Sequence, residues 1–132
     1  MSAVLDTHAA LWYVFSRKKL SKDALQYIRR AVESGRPAYI SAISIVETIY
    51  PIERGRVPLE ALQRLEAGLK DPTSGLRVAP VNEAVAQAVH QVPRAIVPDM
   101  PDRIIAATAL HLGLPLVTRD LRIQSAGIKT IW

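Results

Sequence analysis

Two apolar rhythms take turns along this chain. One is the short unbroken run, found at residues 2–6, 37–41, 76–81, 114–118 and 129–132. Such runs, bounded by polar or turn residues, read as strands covered on both faces. The other rhythm is helical. Residues 7–15 read as a helix capped by Asp6 or Thr7. Ser21-Lys22-Asp23 opens a second helix, whose Ala24, Leu25, Ile28, Ala31 and Val32 recur at helical spacing until Gly35. Residues 43–52 and 59–69 are a third and a fourth, separated by Gly55. Together they form an αα-hairpin excursion over about residues 43–69, closed by Gly68 and Lys70-Asp71-Pro72. Asn82 caps a fifth helix that runs through Val92. Residues 101–112 form a sixth, with Pro101 in the first turn, where its missing N–H costs nothing, and Gly113 at the end. Residues 121–125 give one more turn. Arg17-Lys18-Lys19 reads as a basic loop and residues 93–98 as a connection.

Strands that alternate with helices predict an α/β fold: a three-layer α/β/α arrangement with a central, mostly parallel five-stranded sheet. We find no internal repeat or linker, so residues 1–132 are expected to form a single domain. In such sheets ligands lie outside the carboxyl ends of the strands, where strand order reverses. Asp6 and Asp120 both end strands. If those strands are adjacent at the centre, the two carboxylates are neighbours, and the helix opening near Pro101 brings Asp102 to them.

Composition narrows the chemistry. The chain is 49% hydrophobic and 22% charged, which excludes a disordered polymer. It has no cysteine, so disulfides, zinc–thiolate sites and cysteine nucleophiles are excluded. The first residues lack a basic segment ahead of an apolar one, and no run approaches the ~20 apolar residues of a membrane helix. We therefore expect a soluble, cytoplasmic protein that does not engage membranes. The formal net charge of +5 favours a polyanionic partner. Yet the scarce acids Asp6, Glu47, Asp99, Asp102 and Asp120 all lie in or beside apolar runs.

Each of these acids also has a purely local use. Asp6, Asp99 and Asp120 can cap helices. Asp102 suits a first helical turn. Ser44-x-x-Glu47 matches a capping box. Together they point to chemistry, because carboxylates gathered in one cleft repel unless a cation neutralises them. A hard divalent ion with oxygen ligands suits them: magnesium first, manganese next. Zinc suits them less, since His8, His90 and His111 are scattered. An ion held this way can activate water against a phosphate.

The order Asp6-Thr7-His8 after a strand, Ser41-x-x-Ser44-x-x-Glu47, Asp99-x-x-Asp102-Arg103 before Ile-Ile-Ala-Ala, and Val117-Thr118-Arg119-Asp120 resembles a PIN domain. In particular it is similar to the VapC-type toxins of toxin–antitoxin pairs, over essentially the whole chain. The resemblance implies a three-layer PIN-like fold and a magnesium- or manganese-dependent endoribonuclease. It implies that Asp6, Asp102 and Asp120 hold the metal, with Glu47 doing so directly or through water, and that Asp99, Thr7 and Thr118 support them. It also implies a homodimer and a cognate antitoxin laid over the cleft. Met100-Pro101 departs from the Pro-Phe of many such toxins, which could shift Asp99 relative to Asp102.

Around the site, Arg17, Lys18, Lys19, Arg103, Arg119 and Arg122 are candidates for RNA phosphates. For Arg103 and Arg119, pairing with nearby carboxylates is the alternative. Arg54 and Arg56 are expected on a solvated surface, His8 in a structural role, and Trp12 in the core or a dimer contact. Ile45, Ile49, Ile52, Leu59, Leu62 and Leu65 are a possible apolar surplus for a partner. Two other functions remain open from the residues. One is a non-catalytic PIN-like module that binds nucleic acid, which the intact acids disfavour. The other is a small-ester phosphatase, which the lack of Asp-x-Asp after the first strand disfavours.

Overall fold

A computed structural model describes residues 1–132. In chain order it contains β1 (Ala3–Leu5), α1 (Thr7–Phe15), a 3-10 turn (Arg17–Lys19), α2 (Lys22–Glu33), β2 (Ala38–Ser41), α3 (Ala42–Glu53), α4 (Leu59–Lys70) and β3 (Leu76–Ala79). Then follow α5 (Glu83–Ala88), a second 3-10 turn (Val89–Gln91), α6 (Met100–Leu112), β4 (Leu116–Val117), α7 (Leu121–Ser125) and β5 (Thr130–Ile131). The strands lie in the order β3-β2-β1-β4-β5, and every neighbouring pair is parallel. The chain builds outward from β1 in one direction, then returns to its other side. Strand order therefore reverses at the centre, with β4 directly beside β1.

The layers follow from the two-residue period of a strand. Ala3 and Leu5 of β1 face a core made with Ala9, Tyr13, Ile28, Ile40, Leu65 and Leu76, under α1, α2 and α4. Val4 faces the opposite core, with Val85, Val92, Ile105, Ala106, Leu116 and Ile123, under α5, α6 and α7. Helix α6 buries five consecutive residues, Ile105–Ala109, three of them alanine. Those small side chains let the helix sit close to the sheet and fix the position of its first turn. No helix is long and apolar enough to cross a membrane.

Several boundaries differ from the expectations. Strand β3 stops at Ala79, because Pro80 has no N–H for the ladder. The paired part of β4 is reduced to Leu116–Val117, next to Pro115. The fifth helix is α-helical only to Ala88 and tightens into the 3-10 turn, since Val92 precedes Pro93 and is extended. Arg17–Lys19 is a 3-10 turn, not a loop. Gly68 lies inside α4, which runs on to Lys70; a Cβ there would meet Leu76 Cδ1 at 2.9 Å. In the αα-hairpin Leu65 is fully buried. The exposed large hydrophobic side chains there are Val46, Tyr50 and Leu59, not most of those named as surplus.

Candidate active site

The switch point places one acid at the end of each central strand. Asp6 follows β1 and caps α1, its Oδ1 accepting from Ala9 N at 2.8 Å. Its capping use and its place in the cleft coexist. Burial raises the Asp6 carboxyl; the Thr118 hydroxyl, the Ala9 N–H and His8 oppose that, and Asp120 adds to it. Asp120 follows β4 and caps α7. Arg122 grips it in a fork, Nε 3.2 Å from Oδ1 and Nη2 3.0 Å from Oδ2. The Arg122 hydrogen bond holds Asp120 below the usual carboxylate range. Thr118 is buried and accepts from Asp120 N at 3.1 Å, so it shapes the turn between the two acids.

Helices bring the other three. Asp99 caps α6 and accepts from Asp102 N at 3.1 Å, which ties the two acids into one turn. Glu47 projects from α3, where Thr7 Oγ1 donates to Glu47 Oε1 at 2.6 Å. Thr7 Oγ1 is also 2.9 Å from Ser44 Oγ. A hydroxyl has one proton and an ionised carboxylate only accepts, so Thr7 gives its proton to Glu47 and takes one from Ser44. This overturns the capping-box reading. Helix α3 is capped by Ser41, which accepts from Ile43 N at 3.3 Å, and Ser44 lies inside the helix. Ser44 is fully buried and was missed as a site residue; its spacing three before Glu47 was the available signal.

Carboxylate oxygens of Glu47, Asp99 and Asp102 lie within 4.8 Å of one another. Asp99, expected as auxiliary, thus stands in the tightest group. Asp102 links this group to the strand-end acids: it lines one cavity of about 260 Å³ with Asp6 and Asp120, and another of about 240 Å³ with Asp6 and Glu47. Burial is the largest reason that the Asp102 carboxyl is pushed up to about 6, followed by the charges of Asp99, Glu47, Asp120 and Asp6. Burial likewise raises Glu47, with Thr7 opposing it and Asp99 adding to it. Carboxylates that raise one another this way form an all-oxygen donor set, and that chemistry fits a hard divalent cation.

The candidate cations separate sharply. Arg103 serves neither expected role: Nε donates to Val92 O at 3.1 Å, and Nη2 to Val89 O at 3.0 Å and Val92 O at 2.8 Å. It ties α6 to the end of the 3-10 turn. Arg17 turns back onto α1, with Nε 2.8 Å from Tyr13 O and its guanidinium 4.2 Å from the Tyr13 ring centroid. Lys18 and Lys19 are exposed. Arg119 and Arg122 line the larger of the two cavities, together with His8 and Trp12. His8 is exposed and Trp12 half-buried at that rim, so neither is a plain core residue.

Known proteins share this architecture. Ribonuclease VapC22 of Mycobacterium tuberculosis is 32% identical over 124 residues, covering 94% of this chain and 91% of that protein. VapBC2 from Rickettsia felis, crystallised with a DNA fragment from its promoter, superposes with a TM-score of 0.73 at 13% identity, over 98% of this chain and 97% of that one. DNA-bound VapBC from Salmonella typhimurium gives 0.70 at 22% identity, over 98% and 97%. These two likenesses concern the fold. A family model, the PIN domain, matches residues 3–129, and the chain belongs to that family.

Proposed function

We propose that this chain is an endoribonuclease that hydrolyses RNA phosphodiester bonds with magnesium or manganese, and that it is a VapC-like toxin neutralised by a cognate antitoxin. One observation carries the reading: Glu47, Asp99 and Asp102 converge beside Asp6 in a chain whose net charge is +5. A basic protein that spends its few acids on one cleft is built to bring a polyanion to a cation site. The likeness to Ribonuclease VapC22 supports the same activity.

In this reading Asp6, Asp102 and Asp120 would hold the ion, Glu47 would do so directly or through water, and Asp99 would support Asp102. A bound divalent ion supplies a more acidic water and neutralises charge building on the attacked phosphate. Glu47, oriented by Thr7 and Ser44, takes the proton of the attacking water. Thr118 holds the turn that sets Asp120 against Asp6. Exposed Lys18 and Lys19 hold RNA phosphates, while Arg122 orients Asp120.

The antitoxin belongs to the same reading. Val46, Tyr50 and Met100 are exposed beside a cavity of about 570 Å³ that also touches Glu47 and Asp99. A peptide that seats apolar side chains there ends at the acids and shuts the cleft. A homodimeric, cytoplasmic protein with residues 1–132 as one domain completes the proposal.

The test is cleavage of a mixed-sequence RNA by wild type, Asp6→Asn and Asp102→Asn, with magnesium, with manganese and with EDTA. Cleavage is expected to need metal and to vanish in both variants while they stay folded. RNA that is bound but never cut would sink the nuclease reading in favour of a binding module.

A further inference from the structure

Both tryptophans of the chain meet, and one of them, Trp12, lines the cavity of the acids. The Trp12 and Trp132 ring centroids are 5.8 Å apart. His8, one helical turn before Trp12, lies 5.5 Å from it, tilted by 32°. The Arg119 guanidinium sits 5.0 Å from the Trp12 ring centroid. His8, Trp12 and Arg119 line the cavity of about 260 Å³ that also holds Asp6 and Asp102. In the proposed cleavage, an aromatic group lining the cavity of the acids stands beside the attacked phosphate.

Arg119 is the informative member. Arg103 is committed to main-chain carbonyls, Arg122 to Asp120 and Arg17 to Tyr13. Arg119 makes no hydrogen bond or ion pair within the chain; its one close contact of note is the Trp12 ring. A guanidinium held by an indole is steadied while its N–H donors stay free. A phosphate accepts from such a fork as well, so the donors alone do not decide; the ring that steadies them does. A steadied planar fork suits a planar ligand with two adjacent acceptors. Guanine presents that pair, N7 and O6, on an edge that stays open whether or not the base is paired, whereas cytosine offers O2 and N3 only when unpaired. Aromatic and guanidinium planes are also the usual supports for unpaired bases of single-stranded RNA.

We infer that Trp12 and Arg119 form a nucleobase subsite that selects guanine beside the scissile phosphate. The inference rests on the reading of the adjoining acids as an RNA-cleaving site, and its test separates the two. Calorimetric binding of guanosine, adenosine, cytidine and uridine 5′-monophosphates is measured on wild type, Arg119→Lys and Trp12→Phe. The same proteins are then given oligoribonucleotides that differ only in the position of one guanine. Wild type is expected to bind the guanine nucleotide about tenfold or more tighter than the others, as a bidentate pair allows. It should also cut next to the guanine. Arg119→Lys should bind all four alike, whereas Trp12→Phe, which keeps an aromatic support, should retain part of the preference.

Equal binding of the four nucleotides by wild type overturns the inference. So does a guanine preference that survives Arg119→Lys. A loss of affinity equal for all four in that variant also overturns it, because it marks a phosphate contact. If the guanine preference depends on Arg119 but no RNA is cut, the subsite stands and the nuclease reading falls. If RNA is cut at a metal-dependent rate without regard to guanine, the nuclease stands and the subsite falls.

Discussion

Asp102 concentrates the electrostatics of the cleft in one carboxyl. Burial and four neighbouring acids push it up to about 6, so the folded chain holds this proton more tightly than the unfolded chain does. The group's contribution to stability is therefore greatest below pH 4 and is lost as pH rises through 6, in the absence of metal. Asp102→Asn keeps the shape and removes the charge. In EDTA at pH 7.5 it is expected to melt a few degrees above wild type, whereas with magnesium its RNA cleavage falls at least about a hundredfold below wild type. A variant that melts lower would show that Asp102 serves folding before chemistry. The Thr7 relay gives an opposite signature. Thr7→Val strips Glu47 of a 2.6 Å partner and leaves the buried Ser44 hydroxyl without its acceptor. Urea denaturation should show a loss of about 1–3 kcal/mol, the usual penalty for an orphaned buried polar group. Spacing alone pointed elsewhere here: a Ser three residues before a Glu fits a capping box and a same-face relay equally, and only the cap taken by Ser41 decides between them.

Helix α6 shows how far an element can be read in advance. Its first-turn Pro101, its acids and its terminal Gly113 were all legible, because each answers a local demand of a helix end. The partner of Arg103 was not, since the carbonyls it binds belong to Val89 and Val92, and their exposure depends on a 3-10 turn that pattern alone extends as α-helix. Arg103→Gln is expected to destabilise the fold by about 2 kcal/mol, because hydrogen bonds from a charged donor are lost at two carbonyls. Chemical denaturation measures this, with cleavage falling only as far as the α6 start loosens. Glycines at two element ends give a graded comparison. Gly113 has φ +66° with nothing near its missing Cβ, whereas Gly75 has φ +77° and a Cβ there would meet Val32 Cγ2 at 2.8 Å. Gly113→Ala should cost about 1 kcal/mol from backbone strain. Gly75→Ala should cost more, about 2–4 kcal/mol, because overpacking against the β-branched Val32 is added.

The whole molecule couples these parts through one sheet. Alternating strands and helices sufficed to foresee a parallel sheet, yet the order β3-β2-β1-β4-β5 is a property of no single segment. The adjacency of β1 and β4, on which the meeting of Asp6 and Asp120 depends, was legible only as a condition. Because the acids come from β1, α3, α6 and the end of β4, a cation that binds them binds the folded chain and not the unfolded one. Mass action then stabilises the fold, by about 2.7 kcal/mol at a concentration one hundred times Kd. For a chain of this size that is a rise in melting temperature of roughly 5–15 °C. The rise should depend on pH with a definite sign. At pH 7.5 Asp102 has lost its proton and the cation relieves repulsion already present. At pH 5 it still holds the proton, which binding must first displace, so the shift should shrink. Thermal denaturation with and without magnesium and manganese at the two pH values measures this, with Asp102→Asn losing most of the shift at pH 7.5. A shift as large at pH 5 as at pH 7.5, and kept in Asp102→Asn, would place the cation away from these acids and remove the foundation of the nuclease reading.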